Sequence, residues 1–190
     1  MTHKDRMQSP HPWKVKLLRV AWAAVEMTLF RGSFHTMSRW RSFLLRCFGA
    51  HVGRGCKIRR TVRIYYPWNL TLGELCIIGD DVRLYNLGQI TIGDRVMISQ
   101  EAYLCAGTHD YTDPSLPLLT PPITIGADVW ICARAFVGPG LAVGEGAVVA
   151  ACGVAVKDVP PWTIVGGNPA KFVKQRAWRD QTTTLGPGQK

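Results

Sequence analysis

Residues 125–154 read Ile125-Gly126-Ala127-Asp128-Val129-Trp130, Ile131-Cys132-Ala133-Arg134-Ala135-Phe136, Val137-Gly138-Pro139-Gly140-Leu141-Ala142, Val143-Gly144-Glu145-Gly146-Ala147-Val148 and Val149-Ala150-Ala151-Cys152-Gly153-Val154. An aliphatic residue opens each group of six. A period of six is neither the 3.6 of a helix nor the 2 of an alternating strand. It matches the hexapeptide repeat of a parallel β-helix, where about 18 residues make one triangular coil of three short strands. One aliphatic side chain per hexad points inward and stacks on its equivalents above and below. The Gly after it is expected at a tight corner, where it tolerates positive φ. Left-handed winding belongs to this repeat class and is not read from the spacing; it departs from the usual right-handed crossover.

The pattern extends backwards. Val52, Ile58, Ile64 and Leu70 form a first register, Leu72, Ile78 and Leu84 a second, and Ile92, Ile98 and Leu104 a third. Gly53, Gly73, Gly79 and Gly93 follow four of them, and Val82, Val96, Ala102 and Thr108 stand four residues after others. The changes of register predict two-residue bulges near Leu70–Leu72 and Ile90–Ile92. Between Leu104 and Ile125 the repeat breaks for longer. Residues 106–122, rich in Pro, Asp and Thr, read as a loop extruded from the coil, and such loops commonly carry function.

Before the repeat, residues 1–12 read as a disordered leader. Trp13 to Phe30 lacks Pro and Gly and repeats Leu17, Leu18, Ala21, Trp22, Val25 and Leu29 at near-helical spacing, with Gly32 as its stop. A second helix is expected from Ser38, as N-cap, to Phe48, with Trp40, Phe43, Leu44 and Cys47 on one side and Gly49 after it. After the repeat, Pro160-Pro161 and Gly166-Gly167-Asn168-Pro169 stop the winding. A short basic helix is expected over 170–178, and the last dozen residues read as frayed. The expected architecture is therefore all-β: a left-handed parallel β-helix over 51–168, a basic helical segment over 1–50, and a C-terminal helix and tail over 169–190.

The net charge is +10, from 23 Lys and Arg against 13 Asp and Glu. It is an N-terminal property: residues 1–60 hold 13 of the basic residues and only Asp5 and Glu26 as acids. A basic segment suits nucleic acid, an anionic membrane surface or an acidic substrate, or is a solvated helix face. The most apolar run there, Val20 to Phe30, is too short to cross a bilayer, which needs about 20 apolar residues. No secretory leader is evident. Six scattered cysteines form no CxxC pair, which suits small buried side chains in a reducing, cytoplasmic setting and gives no zinc motif.

Several stretches together resemble the hexapeptide acyltransferases. They are Gly107-Thr108-His109-Asp110, the Pro-rich loop, Ile123-Thr124-Ile125-Gly126, Val129-Trp130-Ile131, Asp158-Val159-Pro160-Pro161 and Gly167-Asn168-Pro169-Ala170-Lys171. Tyr66-Pro67-Trp68-Asn69-Leu70 and Leu84-Tyr85-Asn86-Leu87 are similar to the branch that acetylates exopolysaccharides of the colanic acid type, related to the maltose and galactoside acetyltransferases. The resemblance runs from about residue 40 to 176. It implies O-acetyl transfer from acetyl-coenzyme A to a sugar or glycan hydroxyl, by a homotrimer with active sites between subunits. It implies no metal and no nucleic acid.

Transfer from a thioester to a hydroxyl needs a base for the hydroxyl proton, donors for the developing oxyanion, and both substrates held in line. Of His3, His11, His35, His51 and His109, only His109 lies inside the repeat, at the loop boundary. An imidazole titrates near physiological pH and suits a base; the family motif assigns that role to His109. Asp110 either orients it or forms a turn. Asn86 by resemblance holds acceptor or oxyanion, and on its residue type alone it equally ladders the coil. Also by resemblance, Trp130, Ala133 and Ala151 line the groove for pantetheine, and Lys157, Lys171 and Lys174 meet the phosphates, the last two from one helix face.

Three other readings use the same coil. A γ-type carbonic anhydrase needs three His ligands around a metal. An ice-binding or structural helix needs regular Thr ladders, whereas the external positions read as irregular. An inactive acyltransferase serving as an interaction module would have no use for the His109 motif. Trp13, Trp22 and Trp40 are either interfacial anchors for a peripheral contact with an anionic membrane or covers for the end of the coil.

Overall fold

The computed structural model describes residues 12–178. The expected frayed tail, and the expected leader up to residue 11, lie outside the described residues.

Three rows of inward side chains build the core. Val52, Leu72, Ile92, Ile125 and Val143 stack on the first face. Ile58, Ile78, Ile98, Ile131, Val149 and Val165 stack on the second. Ile64, Leu84, Leu104, Val137 and Ala155 stack on the third. Every one of these pairings is parallel, and every one of these side chains is buried. The expected bulges are instead three-residue strands, Leu70–Leu72 and Ile90–Ile92, continued by Ile123–Ile125. Both ends of each strand face inward, so Leu70, Ile90 and Ile123 add a rung to the core. That rung shifts the register by two.

The corners correct the expectation about glycine. None of the seven glycines that follow an aliphatic residue has positive φ. The left-handed residue comes three places after the aliphatic and is usually not Gly, as at Leu75 (φ 57°), Arg95 (φ 56°) and Asp128 (φ 58°). The following Gly is needed for close approach instead. A Cβ on Gly93 would stand 2.8 Å from the Ala127 nitrogen, and one on Gly126 2.6 Å from that of Glu145. Coils meet backbone to backbone at these corners.

The outer surface is more regular than expected on one face. Thr71, Thr91 and Thr124 stack in register there, with His51 before them and Ala142 after.

A β-helix has an open edge at each end, and unpaired edges must be covered. Each coil donates N–H groups to carbonyls of the coil after it, for example from Gly53 to Leu72 and from Arg59 to Ile78. At Val52, Ile58 and Ile64 the first coil has no preceding coil to supply those donors. Side chains of the N-terminal segment supply them. Arg46 donates to Val52 O, Arg41 to Ile58 O (2.7 Å) and the Trp22 indole to Ile64 O (2.6 Å). Glu26 in turn accepts the Ile64 N–H (3.2 Å).

These side chains come from α1, Trp13–Val25, extended by a wider π-type turn over Glu26–Phe30, and from α2, Ser38–Cys47. Both expected helices are therefore present, but their buried faces differ from the expected ones. In α1 only Trp22 is fully buried, against Phe30 and Phe48, while Leu17 and Leu29 are exposed. In α2 the buried residues are Arg41, Ser42, Leu44 and Leu45, and Phe43 is exposed. Met37, not Ser38, is the N-cap. Gly49, at φ 87°, ends α2 as expected.

At the other end the expected helix over 170–178 is not formed. Lys171–Gln175 is a strand, antiparallel to Thr163–Gly166. Local helix propensity loses to the last coil's open edge, which this hairpin closes. Arg176 then reaches back to the carbonyls of Asp128 and Gly146 (both 2.8 Å) and lies over the Trp178 ring.

Candidate active site

The chain leaves the third face after Tyr103–Cys105 and rejoins the first at Ile123–Ile125. Between them the loop is a small hairpin. Thr108–His109 pairs antiparallel with Leu118–Leu119, and the Asp110 N–H donates to Pro117 O. Its root is held to the preceding coil, since Ala106 donates to Tyr85 O and Gly88 to Ala106 O. Gly107 is packed so closely that a Cβ there would lie 3.0 Å from the Tyr85 ring.

His109 is exposed on this hairpin. Its Nδ1 lies 2.6 Å from the Leu116 carbonyl oxygen. A carbonyl only accepts, so Nδ1 carries the proton and donates it. The other nitrogen, Nε2, is left with a free lone pair. The backbone therefore fixes both the ring's orientation and the tautomer that can accept a proton. Leu116 takes a left-handed conformation, φ 50°, to aim its carbonyl there. This partner is invisible in the sequence, because a carbonyl carries no residue identity.

Asp110 does not touch the imidazole. Its Oδ1 accepts the Thr112 N–H and hydroxyl (2.9 and 2.6 Å), which hold its carboxyl below the usual range. This is the turn-forming alternative. Asp113 and Ser115 repeat the motif.

Asn86 is 0% exposed. Its Oδ1 accepts the N–H groups of Tyr65 and Tyr66 (both 3.0 Å), and its Nδ2 donates to Tyr66 O (2.6 Å). The amide ties one coil to the previous one, as the laddering alternative has it.

The other expected residues lie on two edges of the solenoid. Trp130 is on the outer surface of the second face, and its indole donates to Ser99 Oγ (2.9 Å). Val148, Ile164 and Lys174 follow it in one row. Ala133 and Ala151 occupy the corner between the second and third faces in adjacent coils, where the Cys152 N–H donates to Ala133 O. Lys171 and Lys174 are both exposed, but on a strand rather than a helix. Lys157 stands at the corner between the third and first faces, the corner from which the His109 loop leaves two coils earlier. The structure thus groups Trp130 with Lys174 and Ala133 with Ala151, and sets Lys157 apart from both pairs.

Over 155 residues, 82% of this chain and 85% of its counterpart, the sequence is 45% identical to the colanic acid biosynthesis acetyltransferase WcaF of Escherichia coli K12. The chain belongs to the hexapeptide-repeat acetyltransferases. No protein-family model matches it. A solved hexapeptide-repeat acetyltransferase of Vibrio cholerae O1 biovar eltor, in complex with acetyl-coenzyme A, is 25% identical with a TM-score of 0.79, over 93% of this chain and 100% of that one. A galactoside acetyltransferase in complex with coenzyme A superposes with a TM-score of 0.77 over 92% and 91% at 22% identity, a likeness of fold.

Within this acetyltransferase fold, two further features escaped sequence reasoning. The third face carries an aromatic row, Tyr65–Tyr85–Tyr103–Phe136, with edge-to-face centroid distances of 4.8, 6.4 and 5.5 Å. Tyr85 in this row abuts the loop root at Gly107. The cysteines are the second: Cys56 and Cys76 are buried and donate to the carbonyls of Gly73 and Gly93, but Cys47 and Cys152 are exposed, contrary to the expectation that all are buried. Among the described residues no three His, Cys, Asp or Glu side chains converge.

Proposed function

We propose that this acetyltransferase moves an acetyl group from acetyl-coenzyme A to a hydroxyl of a sugar in a glycan intermediate, with His109 as general base. The observation that carries the reading is the bond from His109 Nδ1–H to Leu116 O, which leaves Nε2 ready to accept a proton. In this mechanism Nε2 takes the proton of the acceptor hydroxyl as its oxygen attacks the thioester carbonyl. The carbon–sulfur bond then breaks, and the imidazolium returns the proton to the departing thiolate. The Leu116 carbonyl favours this cycle, because it stabilises the imidazolium in the interval. Thiol release from acetyl-coenzyme A, measured with a panel of free, nucleotide-linked and lipid-linked sugars, tests the proposal. His109→Ala should lower turnover by about 10²- to 10⁴-fold. Equal rates in wild type and variant would remove His109 from the mechanism.

For coenzyme A, the row of Trp130 and Lys174 and the small-residue corner of Ala133 and Ala151 offer a flat surface and close backbone approach, with Lys157 and Lys171 as further cations. Met97 and Trp130 are exposed apolar neighbours on the second face. The pair suits packing against neighbouring copies in a homotrimer that completes the site, and sedimentation equilibrium checks this.

The same reading places the protein at the cytoplasmic side of an anionic membrane. No helix among the described residues is long and apolar enough to cross one. However, α1 and its extension carry a second apolar line on the solvent side: Trp13, Leu17, Val20, Ala24 and Met27. These recur at one face's helical spacing. Lys14, Lys16 and Arg19 flank them. Trp22 and Trp40 serve instead as covers, bonded to Ile64 O and Leu29 O. Binding to phosphatidylglycerol vesicles should therefore be lost in Leu17→Glu/Val20→Glu; retention would leave α1 with the covering role alone.

A further inference from the structure

Far from the His109 loop, α2 and the first two coils line an open cavity of about 910 Å³. Its lining includes His35, Arg39, Arg46, Arg54, Lys57 and Arg59, and no carboxylate. Two acids lie nearby: Glu74 reaches Arg54 at 3.3 Å and Asp80 reaches Arg59 at 3.4 Å. Arg46 is anchored to the carbonyls of Val52 and Gly53. Arg39 and Lys57 form no ion pair among the described residues, and both are exposed.

Behind this wall lies a second, independent positive charge. Arg41 is 0% exposed. It donates to Ile58 O, Ser33 Oγ, Phe34 O, His35 O and Ser38 Oγ, and none of these partners is a carboxylate. Ser38 and His35 are themselves lining residues. Capping the Ile58 carbonyl would need only a neutral donor. A buried cation without a counter-ion is costly, and the cost falls if an anion sits nearby. Burial, and then the like charges of Arg59 and Arg60, hold the Arg41 guanidinium below its ordinary range.

We infer that this cavity is a binding site for a diphosphate ester. A single phosphate would leave most of the space empty, since cavities of about 300–1,000 Å³ hold ligands of drug size. Two linked phosphates can bridge Arg39 on α2 and Lys57 on the first coil, with Arg54 and Arg59 on the rim. The anion site does not rest on the glycan-acetylation reading, and its diphosphate linkage belongs to a ligand held away from the His109 loop. The site is distinct from the surface offered to coenzyme A, which lies on later coils.

Calorimetric titration of the full chain with inorganic pyrophosphate tests the site without any turnover. Wild type should bind it, and Arg39→Ala/Lys57→Ala should bind at least tenfold more weakly, with an unchanged melting temperature and unchanged coenzyme A binding. The conservative pair Arg39→Lys/Lys57→Arg should restore most of the affinity. A nucleoside diphosphate-sugar and a short-chain polyprenyl diphosphate, titrated in parallel, separate the two sources of the linkage: the tighter binder identifies it. No pyrophosphate binding, or equal binding by wild type and the alanine pair, would overturn the site. Loss of acetyl transfer alone would bear on the His109 mechanism and leave the site standing.

Discussion

Replacing Asn86 with Ala decides between its two roles. The side chain makes three hydrogen bonds in a fully buried place, to Tyr65 N–H, Tyr66 N–H and Tyr66 O. Two of these groups keep a second partner. The Tyr65 N–H also donates to Leu84 O (3.3 Å), and Tyr66 O also accepts from Asn69 N–H (2.9 Å). Truncation therefore costs the net worth of each bond rather than full desolvation of three orphaned groups. At about 1 kcal/mol per bond the loss is about 3 kcal/mol. For a chain of this length that corresponds to a fall in Tm of about 6–12 °C. Thermal and urea unfolding at fixed protein concentration would measure it, alongside thiol release from acetyl-coenzyme A below the transition. The expected result is a large loss of stability with nearly unchanged kcat at low temperature. An unchanged Tm with kcat reduced a hundredfold would refute the laddering argument and return Asn86 to the chemistry.

The glycine argument predicts that Gly126→Ala destabilises by about 1–3 kcal/mol, because its Cβ would press on the Glu145 backbone at 2.6 Å. Gly138→Ala, with 3.2 Å to Ala155 O, should cost well under half of that in the same unfolding assay. Burial raises the Glu26 carboxyl above its ordinary value, so the folded state binds the proton more tightly than the unfolded chain and stability falls as pH rises through this range. Glu26→Gln keeps an acceptor for the Ile64 N–H, and should be more stable than wild type at pH 7, with the gain vanishing below about pH 4 where both unfolded and folded carboxyls are protonated. Nitrogen-15 NMR of His109 should show the neutral ring protonated at Nδ1; an Nε2–H tautomer would break the link to Leu116. Trp130→Ala should raise the KM for acetyl-coenzyme A with little change in Tm, since the ring is exposed and its indole donates to Ser99 Oγ.

The inward rows were legible in the sequence because each position answers to a single demand, an aliphatic side chain stacked on its equivalents. The corners were harder to read. A Gly in a repeat suggests positive φ, but here the left-handed turn falls two residues later on Leu75, Asp81 or Arg95, and the Gly marks contact with the next coil. That contact exists only after stacking. The C-terminal helix failed for a similar reason. Residues 170–178 have no Pro or Gly within them, but the backbone edge of Thr163–Gly166 offers more hydrogen bonds than a short isolated helix gains. His109 was found through the loop and the family motif, whereas the carbonyl that sets its tautomer is invisible to any reading of side chains.

The N-terminal segment shows how one stretch of chain meets two demands. Its basic composition invited a reading in terms of partners alone. Yet Arg41, Arg46 and Trp22 each donate to a carbonyl of the first coil, which has no preceding coil to supply the donor. A neutral side chain could cap each carbonyl, so capping explains why donors are there but not why most of the segment's donors are cations. Nor does it explain the second apolar line of α1, which is exposed. Truncating the segment would expose the solenoid edge and abolish any surface function together, so the two demands separate only by point substitution. Leu17, Val20 and Arg39 are the positions for that purpose, because all three are exposed and none is among the side chains that cap the first coil.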